Sequence, residues 1–98
     1  MNTPIYLDYA ATTPVAPEVV DCMMQYLTAD GIFANPSSIQ HCFGEQAELA
    51  VENARTSMAK LLHCKAKELV FTSGATEANN LAIKGIAYSR KTQGNHII

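Results

Sequence analysis

The stretch Phe71–Glu77, FTSGATE, decides the fold class of this 98-residue chain. It overlaps the end of the short apolar run Glu68–Thr72, which predicts a strand, and it leads into apolar residues at helical spacing that predict a helix ending at Gly94. His96–Ile98 then predicts the start of another strand. A strand, a turn, a helix and a second strand are the parts of a right-handed crossover, which belongs to parallel sheets covered by helices. The sequence therefore predicts an α/β fold.

The turn within this stretch is also a candidate phosphate site. The first backbone N–H groups of a helix have no intrahelical acceptor and lie at its positive end, and Ser73 and Thr76 add hydroxyls. Gly74 permits close approach or a positive φ because it lacks a Cβ. The alternative is that Ser73 or Thr76 only caps the helix. A Walker lysine and a G-x-G-x-x-G pattern are both missing, so neither nucleotide-binding class fits.

Two further helices are predicted upstream. Pro17 is at a favourable first helical position, and apolar residues at helical spacing follow it until Gly31 ends the helix. Ser37 and Gln40 have the spacing of a capping box, which predicts the start of a second helix that runs to about Leu62. Before these helices, Ile5–Leu7 is a short extended stretch and residues 8–14 form a loop.

Composition excludes several classes of protein. The chain is 48% hydrophobic with a net charge of −2, which is ordinary for one globular domain and excludes a nucleic-acid partner held by basic residues. It has no apolar stretch long enough to span a membrane and no signal-peptide pattern near its start, so a cytoplasmic protein is expected. The three cysteines give an odd count with no repeated spacing, which indicates reduced thiols.

The remaining candidate groups have weaker patterns. The pairs His41-Cys42 and His63-Cys64 would lie about 33 Å apart on one helix, so they cannot share a metal ion and no metal site is expected. His41 follows the turn at Asn35 and lies at a loop-to-helix junction, where it is either a functional group or a surface histidine near a cap. Lys84 lies on a helix face, where a solvated lysine is typical.

The predicted crossover is unfinished at Ile98. A parallel sheet needs several buried strands, and the chain offers one strand and the start of another. We therefore expect residues 1–98 to be the amino-terminal segment of a longer protein, without a complete second domain. An isolated chain of this kind is expected to be marginally folded or to associate through its apolar helix faces.

Three motifs together identify a family. They are YLDYAATTP at 6–14, NPSSIQH at 35–41 and FTSGATEANNLAIKG at 71–85. In this order they closely resemble the start of the cysteine desulfurases of the class V aminotransferase group, and the resemblance runs from Pro4 to Ile98. It implies the amino-terminal part of a large domain of aminotransferase fold type I, with pyridoxal 5′-phosphate as cofactor. It also implies a homodimer in the complete enzyme, which converts L-cysteine to alanine and passes persulfide sulfur to iron–sulfur scaffold proteins and to acceptors for tRNA and cofactor thiolation.

The resemblance also assigns residues. It implies that Ala75 and Thr76 hold the cofactor phosphate, and that Gly74, Asn35 and His41 lie close to the active site. Residues 1–15 are expected to be an extended segment near the active site. The lysine that binds the cofactor covalently, its aromatic and acidic partners and the persulfide cysteine of the family lie beyond Ile98. No catalytic residue is therefore expected among these 98, and the chain alone is expected to be inactive.

Two alternatives and one departure accompany this interpretation. The first alternative is that the chain is a short non-catalytic binding module that interferes with dimer formation. The second is that it is a segment of another class V enzyme such as a selenocysteine lyase. Ala34 stands where family members often have glycine. If that position requires a positive φ, the Asn-Pro turn is strained or altered.

Overall fold

The structure is a computed structural model that describes residues 3–98. It contains three α-helices and one short 3-10 turn: α1 (Pro17–Met24), α2 (Cys42–Leu61), the 3-10 turn Ala66–Glu68, and α3 (Ala75–Ser89). The chain divides into two compact units, the first ending at Met58 and the second spanning Ala59–Ile98. The boundary between the units falls within α2.

Helix α1 begins at Pro17, as the sequence predicts, but it ends at Met24. The next N–H groups bond three residues back, as Tyr26 does to the Met23 carbonyl at 2.9 Å, so the helix passes into tighter turns. The chain then folds back, and the Ile32 N–H donates to the carbonyl of Gln25 at 2.7 Å. A Cβ on Gly31 would lie 2.1 Å from that carbonyl oxygen. Glycine at this position therefore allows the return of the chain.

Helix α2 ends in a hydrogen-bonded turn that the sequence patterns do not predict. His63 has φ 53°, and it is the single non-glycine residue with a positive φ among residues 3–98. The Cys64 N–H donates to the carbonyl of Ala59 at 3.0 Å and the His63 N–H to that of Lys60 at 3.4 Å. This is the Schellman arrangement, in which a left-handed residue, usually glycine, satisfies the last carbonyls of a helix.

The predicted strands are not confirmed. None of the residues 3–98 is in a strand, and Glu68 ends the 3-10 turn. The Glu68 carboxylate accepts the Lys65 N–H at 2.8 Å and holds this turn. Leu69 after it has the extended backbone of a strand, with φ −99° and ψ 133°. The parallel sheet expected from Glu68–Thr72 and His96–Ile98 is absent from the described residues because a buried strand needs neighbours on both sides.

Helix α3 begins directly after the turn at Gly74 and ends earlier than predicted, at Ser89. The Ser89 hydroxyl donates to the Ile86 carbonyl at 3.1 Å, and Gly94 instead closes a separate turn through its N–H to the Arg90 carbonyl. The apolar side chains of α3 are largely exposed, with Ile86 at 65%. Among the described residues, no helix is long and apolar enough to cross a membrane.

Candidate functional site

The backbone is extended at Gly74, where α3 begins. Gly74 is the N-cap residue, with φ 163° and ψ −174°, and its carbonyl accepts the Ala78 N–H at 3.1 Å. This is extended backbone that any residue adopts, so the positive φ considered for this glycine is not present. A Cβ added to Gly74 would meet no atom within 4 Å. The packing of the chain itself therefore does not require glycine here, and the space beside the turn is open to a ligand.

Ser73 does not contribute to an open donor set. Its backbone N–H donates to Oε2 of Glu77 at 2.8 Å, and its hydroxyl donates to the same oxygen at 2.6 Å. These two hydrogen bonds, the one from the hydroxyl foremost, lower the pKa of the Glu77 carboxyl below its ordinary value. In this structure the Glu77 carboxylate therefore engages both Ser73 donors, and a role for the Ser73 hydroxyl at a phosphate stays a prediction.

Thr76 and the backbone around it supply the donors that remain. Among residues 3–98, the N–H groups of Ala75 and Thr76 and the Thr76 hydroxyl have no hydrogen-bond acceptor. The Thr76 carbonyl accepts Nδ2 of Asn80 at 2.8 Å within the helix. Both Ala75 and Thr76 are exposed. Backbone N–H groups and a hydroxyl at the positive end of a 15-residue helix are a suitable donor set for a phosphate.

The start of α2 carries the other two candidate residues, Asn35 and His41. Asn35 forms a turn in which its Oδ1 accepts the Ser37 N–H at 2.9 Å and its carbonyl accepts the Ser38 N–H at 3.0 Å. The helix begins at Cys42, five residues after Ser37. The predicted capping box of Ser37 and Gln40 is therefore wrong, because the chain is still in the turn at those positions.

His41 caps α2 in their place. Its Nδ1 accepts the Gly44 N–H at 3.1 Å, and its carbonyl accepts the Glu45 N–H at 3.2 Å. The acceptor role requires an unprotonated Nδ1, which places the proton of a neutral ring on Nε2. The ring also meets the Phe43 ring edge to face, with centroids 6.1 Å apart. The structure therefore places His41 at the cap of α2, and its nearness to the active site stays a prediction.

Gly44 is a structural residue that the sequence patterns did not indicate. It is buried, and a Cβ on it would lie 1.8 Å from the Ser38 carbonyl oxygen and 3.2 Å from that of Asn35. The turn therefore packs directly on the first turn of the helix. Histidine is not among the residues preferred at an N-cap, so the sequence offers no pattern that would have found this contact.

A hollow of about 320 Å³ lies beside this turn. Its lining brings Asn35 and His41 together with aromatic and small side chains: Phe33, Ala34, Ser38 and Phe43. Ala34 is not among the residues with a positive φ, so the strain considered for this position is absent. Asn35 and His41 belong to the first unit, whereas Gly74, Ala75 and Thr76 are consecutive residues of the second.

The other candidate groups form no site. The thiols of Cys22 and Cys42 are exposed, that of Cys64 is half-buried, and all three are free. No group of three or more His, Cys, Asp or Glu side chains within residues 3–98 is placed to hold a metal ion. A second hollow, of about 450 Å³, lies between α3 and the segment Gly94–Ile97 and is lined mainly by apolar side chains.

Residues 5–98 match the aminotransferase class-V family, and the chain belongs to that family. Among curated relatives, it is 60% identical to the cysteine desulfurase IscS of Shewanella oneidensis and 59% identical to that of Shewanella loihica, over 98 residues each. The alignments cover 100% of this chain and 24% of each relative. The chain therefore spans about a quarter of the length of these curated relatives. The resemblance to the start of a cysteine desulfurase is confirmed.

Proposed function

We propose that this chain is the cofactor-phosphate-binding segment of a pyridoxal-phosphate-dependent cysteine desulfurase. The observation that carries the proposal is the open donor set at the start of α3, formed by Ala75 and Thr76 beside the uncovered backbone of Gly74. Similarity to cysteine desulfurases supports the cofactor and the reaction. The amino-terminal region of an aminotransferase fold type I domain, with strands of a parallel sheet, remains the predicted architecture.

The residues present fit the phosphate of pyridoxal 5′-phosphate. Ala75 and Thr76 would hold it through their N–H groups and the Thr76 hydroxyl, at the end of α3 where the helix dipole favours a negative charge. Bound to the complete enzyme, the cofactor supplies the electron sink for chemistry at the α-carbon of an amino acid. The contribution of this chain is to bind and orient it.

The proposed reaction of the complete enzyme starts from L-cysteine and yields alanine. The sulfur remains as a persulfide on a cysteine of the enzyme and then passes to iron–sulfur scaffold proteins and to acceptors for tRNA and cofactor thiolation. We place the enzyme in the cytoplasm as a homodimer, without a direct nucleic-acid or membrane partner. In this proposal, Asn35, His41 and the segment 1–15 lie near the active site. Met1 and Asn2 of that segment lie outside the described residues.

The proposed segment has no catalytic residue of its own. Lys84 is an exposed residue of α3, and Cys22, Cys42 and Cys64 are not the persulfide cysteine of the family. Supplied with pyridoxal 5′-phosphate and cysteine, the isolated chain should therefore release alanine at the rate of the free cofactor. A stoichiometric pyridoxyl-lysine after borohydride treatment, together with cysteine-dependent release of alanine, would contradict this.

A chimeric enzyme tests the function directly. Residues 5–98 replace the matching segment of the Shewanella oneidensis cysteine desulfurase, which is 60% identical over this chain. We expect the chimera to bind pyridoxal 5′-phosphate and to release alanine from cysteine. The variant Thr76→Val keeps the shape of the side chain and removes its hydroxyl, so cofactor affinity should fall by about 0.5–1.5 kcal/mol.

The matched control is Thr56→Val, a surface threonine in the middle of α2. This variant should leave cofactor affinity unchanged. A chimera that folds but binds no cofactor would contradict the proposed function. A chain that only blocks assembly of the Shewanella enzyme would support the binding module.

A further inference from the structure

No further inference is drawn: the strongest candidate, the apolar hollow of about 450 Å³ between α3 and Gly94–Ile97 with Arg90, Lys91 and His96 in its lining, is an unpartnered face of the second unit, and nothing in the structure shows what covers it.

Discussion

The first turns of α2 and α3 are the same kind of element and are built in opposite ways. At the start of α2, His41 accepts the Gly44 N–H and the turn from Asn35 to Ser38 lies against Gly44, where a Cβ would be 1.8 Å from a carbonyl oxygen. At the start of α3, a Cβ on Gly74 would meet no atom within 4 Å. One helix start is filled by its own chain, and the other is left uncovered.

The difference separates a helix start that its own chain covers from an open one that we propose binds the cofactor phosphate. Four N–H groups at the beginning of every helix need an acceptor. The chain supplies one to Gly44 through an imidazole, whereas Ala75 and Thr76 receive none from residues 3–98. The distinguishing feature of the proposed phosphate site is therefore the open space beside its backbone donors, where a Cβ on Gly74 would meet no atom within 4 Å. The presence of Ser, Thr or Gly in the sequence is not sufficient, because both regions have them.

The largest contrast is expected between glycine substitutions at the two starts. Gly44→Ala forces a methyl group into the Ser38 carbonyl and should destabilise the chain by about 3 kcal/mol or leave it unfolded. Gly74→Ala should cost less than about 1 kcal/mol, because the backbone is extended and the space is open. Urea unfolding followed by circular dichroism measures both. Equal losses would remove the distinction between the two helix starts.

A smaller effect is expected from the imidazole cap. His41→Ala leaves the Gly44 N–H without its acceptor and should destabilise the chain by about 1 kcal/mol. His41→Asn restores a short acceptor at the N-cap and should recover most of that loss. The measurement is again the urea midpoint. If alanine and asparagine behave alike, His41 is not a cap in solution.

Ligand binding is expected to change amide exchange at the start of α3 and not at the start of α2. Pyridoxine 5′-phosphate should slow amide exchange at Ala75 and Thr76, because its phosphate becomes their acceptor, while Phe43 and Gly44 at the start of α2 should not respond. Hydrogen exchange followed by NMR gives each amide separately. Equal protection at both helix starts would show that the anion binds without discrimination.

The smallest expected effect is the acid response of Glu77. Its pKa is lowered from 4.5 by the Ser73 hydrogen bonds, so the stabilisation is fully present above the unfolded pKa and is lost as the pH falls through the lower folded value. The protection factor of the Ser73 amide, which is the exchange rate in the unfolded chain divided by its own at the same pH, should then fall on acidification. In Glu77→Gln this response should disappear. If the Ser73 amide of the unsubstituted chain keeps its protection on acidification, the hydrogen bond between Ser73 and Glu77 is contradicted.

Local patterns predicted the presence of all three helices but missed several of their ends, and the predicted sheet is not confirmed. Pro17 begins α1 as expected, and α2 ends at Leu61, one residue from the predicted position. Helices form from hydrogen bonds within four residues, so periodicity and terminal residues are enough to place them. Strands depend on distant partners, and the segment at Leu69 is extended without any strand forming within residues 3–98.

The sequence by itself determined the family and the position of the proposed phosphate site, because the FTSGATE stretch places a glycine and a threonine where a helix begins after an extended segment. Only the tertiary structure decided which donors at the start of α3 are already engaged within the chain. Ser73 and Thr76 both carry a hydroxyl group. The carboxylate of Glu77, about one helical turn further along the chain, accepts hydrogen bonds from Ser73. In the same way, only the fold shows that the turn at Asn35 rests on Gly44. Both outcomes depend on distances between side chains and backbone that residue types alone do not specify.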